Sequence, residues 1–164
     1  MALVRDVAGR VRAEIRGIVS LDGIPTVAPA SGTPCAFWHL AIDAGYGFHL
    51  LSAWDGIDFV VADESGRARV LGREASYRLR RTQTFIAEGN LPREVARILE
   101  ARGIVGREWL RLREQVLIEG AKVTVSGYAD HEADPTPAPT GYRERAMRLI
   151  LSRRPDIPLT VHEE

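Results

Sequence analysis

The residues with the most obvious chemical potential fall in SGTPCAFWHLAI, residues 31–42, which holds the only cysteine, Cys35, and His39 four positions later. A nucleophilic or metal-binding cysteine needs a base or further ligands beside it and an electropositive, partly open setting. Pro34 and the aromatic and aliphatic run that follows favour a strand over a helix. On a strand, Cys35 and His39 point the same way but stand about 13 Å apart, so neither activates the other. A ligand set of Cys35, His39 and His49 requires cross-strand pairing in one particular register. The simpler reading is a small buried thiol at the start of a strand.

Two arginine clusters are the next candidates. Arg78, Arg80 and Arg81, beside Tyr77 and close to Arg73, offer planar forks for phosphates or a lipid head group. The competing reading is a solvated strand edge, where charges block edge pairing. Arg143, Arg145, Arg148, Arg153 and Arg154 form the second cluster, with Glu144 and Asp156 among them. Lys122 is the only lysine, but an arginine bias spread over the whole chain reflects codon usage in a GC-rich genome more than recognition at particular positions.

The carboxylates Asp55, Asp58, Asp63 and Glu64 suggest acid/base work or Mg²⁺, yet three sit in turn contexts (DG, GID, DESG) that favour Asp for backbone reasons. Gly45-x-Gly47 lacks the third glycine and the helix of a dinucleotide loop. There is no G-x-S-x-G, Walker or H-E-x-x-H pattern. Trp38, Trp54 and Trp109 could stack nucleobases, but two lie among apolar strand neighbours, which favours core packing. An enzyme built around His39, His49 and Asp63 requires these to converge in one pocket. No catalytic residue, metal ligand or cofactor is expected.

Composition sets the frame. The chain has 164 residues, 45% hydrophobic and 27% charged, with a formal net charge of zero. That is a single domain able to bury one core, without the basic balance of a nucleic-acid binder. One cysteine excludes an intramolecular disulfide framework and multi-cysteine zinc sites and suits a reducing cytosol. No apolar run approaches the ~20 residues of a membrane span, and MALVRDVAGRVRAEIR lacks a signal-peptide core. A cytoplasmic protein without an integral membrane segment is expected.

The elements that must position these residues are mostly short strands. Residues 10–20 alternate, with Val11, Ala13, Ile15, Gly17 and Val19 on one face. A Gly/Pro/Ser-rich loop spans 21–34, followed by strands over 35–43 and 48–54. DFVVA and RARVL form a hairpin around a four-residue DESG connection, and SYRLRRTQTF (76–85) reads as one more strand. Leu91, Val95, Ile98 and Leu99 share a helix face, which predicts a helix over 91–102 with Asn90 as N-cap, Pro92 in the first turn and Gly103 past the end. Val123, Val125 and Gly127 alternate after a Glu119-Gly120 turn. Residues 130–141 read as a Pro-rich loop before an extended C-terminal segment, within which 142–152 fits a helix or a strand. The fold class is mainly β: an antiparallel small barrel or sandwich, OB-like, with one inserted α-helix.

Several pieces occur in a familiar order: Gly17 and Val19; Ser31, Gly32, Pro34, Cys35, Phe37 and Trp38; Phe59, Val61, Asp63, Gly66 and Val70; then Glu114, Leu117, Gly120, Val123, Val125 and Gly127. This order resembles the GIDE or "beside-a-membrane" domain of mitochondrial E3 ubiquitin ligases and their bacterial relatives, over about residues 8 to 129. The resemblance implies an antiparallel β domain with an inserted helix, in which SGTPC is a turn feeding a core strand. It implies no ligase activity, which resides in a C-terminal zinc RING whose cysteines this chain lacks. The expected function is a non-catalytic protein-interaction module whose partner is a protein, in the cytosol or peripheral at the bacterial inner membrane. The alternative is an OB-type binder of nucleic acid or anionic lipid through Arg78, Arg80 and Arg81.

Overall fold

Alternation in the first described segment is what makes it a strand. Ala13, Ile15 and Val19 are buried while Arg12, Glu14 and Arg16 are exposed, so one face is removed from water and the other solvated. The structure, a computed structural model, describes residues 11–105, 109–133 and 147–164. In chain order its strands are β1 (Val11–Ser20), β2 (Thr26–Val27), β3 (Pro34–Cys35), β4 (Phe37–Ala44), β5 (Phe48–Gly56), β6 (Phe59–Asp63), β7 (Gly66–Val70), β8 (Ser76–Arg78), β9 (Gln83–Glu88), β10 (Trp109–Leu117), β11 (Lys122–Ala133), β12 (Met147–Ser152) and β13 (Thr160–Glu163). One α-helix among the described residues, α1 (Arg93–Glu100), lies between β9 and β10.

The chain divides into two compact units, each discontinuous in sequence: residues up to Asp22, Asp58–Arg78 and from Glu119 onward form the first, and Gly23–Ile57 with Leu79–Ile118 the second. The first is a closed five-stranded barrel. Pairing runs from β1 to β6, β7, β12 and β11, and β11 returns to β1. All these pairings are antiparallel except β7 with β12. Numbered within the barrel, the ring order is 1-2-3-5-4-1 with strands 3 and 5 parallel, the topology of an OB-type barrel. β13 continues along the β12 side of β11 and carries β8 beside it in parallel. The interior is filled by side chains such as Ile15, Phe59, Val61, Val125 and Leu151, all essentially inaccessible, each contributing about 1.5–3 kcal/mol of transfer free energy.

The second unit is a four-stranded antiparallel sheet in the order β5-β4-β10-β9, with the small β2–β3 hairpin. One sheet face, Trp38, Leu40 and Ile42 on β4 with Leu110 and Leu112 on β10, packs with Val95 and Leu99 of α1. The helix ends where Gly103 takes φ +69° and Ile104 N–H donates to Leu99 C=O at 3.0 Å, a Schellman-type stop.

The mainly β barrel with one helix matches the sequence expectation; several details differ. The β6–β7 connection is Glu64-Ser65 alone, because Asp63 pairs with Gly66. Residues 76–85 form two strands, since β8 joins β13 in the barrel's sheet and β9 joins β10 in the other. The residue before the helix is Pro92, with no side-chain cap, and not Asn90. Residues 130–133 belong to β11 and not to a loop, while 134–141 lie outside the described residues. Residues 147–152 are strand, with Leu149 and Leu151 buried; 142–146 are outside the described residues.

Two strand glycines sit where a side chain has no room. A Cβ on Gly17 would meet the Ala62 carbonyl and stand 2.7 Å from Val61 Cγ1, and one on Gly127 would stand 2.7 Å from Leu159 Cδ1. Gly17→Ala is therefore expected to lower stability by about 2 kcal/mol or more. Gly45→Ala, whose Cβ would meet nothing nearer than Trp109 at 3.9 Å, should stay within about 0.5 kcal/mol of the parent. Urea midpoints of the two variants make the comparison.

Candidate functional site

The sequence candidates are shared between the two units. Arg78 is the exposed last residue of β8 in the first unit, whereas Arg80 and Arg81, also exposed, belong to the second. Of the other cluster, Arg143 and Arg145 lie outside the described residues. Arg148 Nε is held 2.6 Å from Glu132 Oε1, and Arg154 lies 4.6 Å from the centre of the Tyr128 ring. The carboxylates have local structural roles. Asp55 accepts the Thr26 hydroxyl at 3.0 Å, Asp58 takes Arg69 at 2.7 Å, and Asp63 accepts the N–H groups of Ser65 and Gly66 across the hairpin turn. His39 and His49 belong to the second unit and Asp63 to the first. Among the described residues no group of three or more His, Cys, Asp or Glu is placed to hold a metal.

SGTPC is a structural turn. Glu114 on β10, 1% exposed, accepts Ala30 N–H at 2.7 Å on one carboxylate oxygen and Ser31 N–H at 3.0 Å on the other. Gly32 takes φ +71°, and Ala28 N–H closes the loop onto Thr33 C=O at 2.9 Å. A bend at Ala36 then breaks the strand alternation, so Cys35 joins the core with Trp38 and Leu40. Burial pushes the Cys35 thiol up to about 12, reinforced by the charges of Glu114 and, more weakly, Asp55. The thiol is therefore neutral and inaccessible, unlike a reactive cysteine.

The constellation that does form was not assembled from the sequence. Asp43 on β4 is 5% exposed. Its Oδ1 lies 3.0 Å from His49 Nδ1, and its Oδ2 accepts Arg113 Nε–H at 3.0 Å. Ser52 Oγ lies 3.2 Å from His49 Nε2. In the tautomer that satisfies both contacts, Nδ1–H donates to Asp43 and Nε2 accepts from the Ser52 hydroxyl.

The cause is a bulge. Ile42 pairs with Leu51 and Asp43 with His49, so Leu50 is an extra residue on β5. His49 and Ser52, three apart, thereby share the sheet face of Asp43 and Ala41, where strict alternation would put them on opposite faces. Burial alone would push the Asp43 carboxyl up. Hydrogen bonds from His49 and Arg113, with the charge of Arg113, outweigh it and hold the group below the ordinary carboxylate range. His39, on the same face of β4, is held below its ordinary value by burial and by the nearby charges of Arg113 and His49. Asp43 and Ser52 were missed because only the bulge makes their spacing meaningful.

The same face, and the edge strand β5, expose apolar groups: Trp54 is 61% and Phe48 74% accessible. No described helix is long and apolar enough to cross a membrane. No family model matches the sequence, and no curated protein or solved structure matches it.

Two measurements follow from these environments. Cys35 in the native protein should resist a chromogenic disulfide reagent at pH 8 and react with one equivalent once guanidinium unfolds the chain; fast native labelling would contradict the burial. Asp43 has a depressed folded-state pKa, so its contribution is present above the unfolded value of about 3.9. That contribution is lost as pH falls through the folded value, because the unfolded chain takes up the proton first. Urea midpoints between pH 6 and pH 3 should fall more steeply for the parent than for Asp43→Asn, which starts lower and lacks this component.

Proposed function

We propose that the chain is a protein-interaction module of the GIDE-like type, in which the OB-type barrel is the scaffold and the second unit carries the partner surface. The supporting observation is where large apolar side chains remain in water. Of the eight that are strongly exposed among the described residues, Ile24, Val27, Phe48, Trp54, Ile86, Val105 and Ile118 belong to the second unit and Ile18 to the first. Single exposed apolar residues are ordinary; their concentration on one unit is what a protein partner would use. The partner is a protein of the cytosol or one held at the inner face of the bacterial membrane, and binding requires no turnover.

The OB-type topology favours one second reading. OB barrels commonly bind oligonucleotides, and Arg78, Arg80 and Arg81 are exposed cations that could meet phosphates of nucleic acid or anionic lipid. Against it, the barrel's Arg67, Arg69 and Arg148 are engaged by Asp22, Asp58 and Glu132.

Crosslinking in the native host, followed by affinity purification and mass spectrometry of soluble and membrane fractions, separates the two. The interaction-module reading expects one reproducible protein partner, lost in a Phe48→Ser/Trp54→Ser variant and retained when Arg78, Arg80 and Arg81 are changed to Gln. Nucleic acid or lipid that co-purifies, is released by salt and is lost in the arginine variant would instead establish the second reading.

A further inference from the structure

We infer that Ser52 is a nucleophilic hydroxyl competent for acyl transfer from carboxylic esters, with His49 as its general base. This goes beyond the interaction reading and shares only Trp54 with it. The inference rests on three groups in hydrogen-bonded series. Ser52 Oγ stands 3.2 Å from His49 Nε2, and His49 Nδ1 stands 3.0 Å from Asp43 Oδ1. A nucleophile in reach of a base that is itself oriented by a third group is the general signature of an activated serine, whatever the fold or the chain order.

The degree of burial is graded along the series. The Asp43 side chain is 7% exposed and the His49 side chain 52%, while Ser52 is open to solvent. The orienting carboxylate is thus sheltered and the reacting hydroxyl accessible. Arg113 Nε–H donates to the other oxygen of Asp43 at 3.0 Å, which fixes the carboxylate and keeps it ionised. The Leu50 bulge brings His49 and Ser52 to one face, and bulges commonly re-aim side chains beside active sites.

The substrate class follows from the surroundings. Trp54 lies two residues beyond Ser52 on the same face of β5, about 7 Å along the strand, with its ring largely exposed. An ester with an apolar or aryl group fits against that ring. Ser52 Oγ attacks the ester carbonyl carbon while its proton passes to His49 Nε2. The carbon–oxygen bond to the alcohol breaks, and the departing alkoxide takes that proton. Water then gives a proton to His49 Nε2 as its oxygen attacks the acyl carbon. Ser52 Oγ leaves and recovers the proton, so the products are one carboxylic acid and one alcohol, with no change of oxidation state.

The full chain is incubated with a biotinylated fluorophosphonate, and the labelled peptide is located by mass spectrometry; p-nitrophenyl acetate hydrolysis is followed in parallel. Labelling at Ser52 is expected, abolished in Ser52→Ala, reduced at least about 100-fold in His49→Gln and unchanged in Ser65→Ala, whose hydroxyl donates to Asp63 in the β6–β7 turn. Circular dichroism and thermal melting establish that each variant is folded. Asp43 is a positioning residue: Asp43→Asn should slow labelling and displace its pH–rate profile, whereas a merely structural carboxylate would leave the profile in place. Labelling no greater than in heat-denatured protein, or labelling at Ser52 that folded His49→Gln retains in full, overturns the proposal.

Discussion

Closure of the barrel depends on two missing side chains. β1 lies against β11 on one edge and β6 on the other, and Gly17 is where it passes close to the β6 backbone at Val61 and Ala62. Gly127 does the same on β11, beneath Leu159 and Ser152. A Cβ at Gly17 would press on the β6 backbone, and one at Gly127 on the Leu159 side chain with the Ser152 carbonyl 3.1 Å away, so a larger residue at either place works against closure and towards a sheet with free edges. A closed ring has none, which removes the unpaired backbone rows through which β proteins aggregate. Glycine weakens a strand by its conformational entropy, so its presence here reflects close approach rather than strand preference.

The closed ring also explains how the second unit is assembled. Two excursions leave the barrel in sequence, Gly23–Ile57 between β1 and β6 and Leu79–Ile118 between β8 and β11. Neither forms a complete sheet. The first supplies β4 and β5, the second β9 and β10, and β4 and β10 join them through eight residue pairs from Phe37↔Leu117 to Ala44↔Leu110. Glu114 reinforces the same seam from the core side by holding the Ala30 and Ser31 amides. A buried carboxylate without such donors would be costly; with both oxygens satisfied, it ties the loop of one excursion to the strand of the other.

What the sequence discloses and what it conceals divide along that seam. Alternation in 11–20 and 122–127, the helix face of Leu91, Val95, Ile98 and Leu99, and the Gly103 stop are local patterns, and each reads correctly from its own window. SYRLRRTQTF reads as one strand because its composition is uniform. It is two because its ends pair with partners more than twenty residues away, β13 and β10, and no local window contains that information. Cys35 and His39 illustrate the same limit. Strand parity puts them on one face, and a single bend at Ala36 separates them. The hydroxyl–imidazole–carboxylate series is harder still, since Asp43 lies inside an apolar strand and reaches His49 only because Leu50 is extruded from the ladder. His49 was visible as a candidate, but its carboxylate was sought at Asp63, a turn residue.

The charges complete the picture of what the surface offers. Arg16 meets Glu164 at 2.9 Å, Arg67 meets Asp22 at 2.7 Å, Arg97 meets Glu94 at 3.0 Å and Arg113 meets Asp43 at 3.0 Å. The first three, exposed on both sides, add little to stability, about 0–1 kcal/mol each, whereas the fourth holds a buried carboxylate; all four change what the arginines can do. Polyanion binding draws its free energy from cations that displace condensed counterions, and an arginine already matched to a carboxylate must first give that partner up. Exposed apolar side chains carry no such prior commitment. Phe48 and Trp54 keep the larger part of their surface, 74% and 61%, available to whatever covers β5, and on a chain with no net formal charge that is the larger unspent contribution.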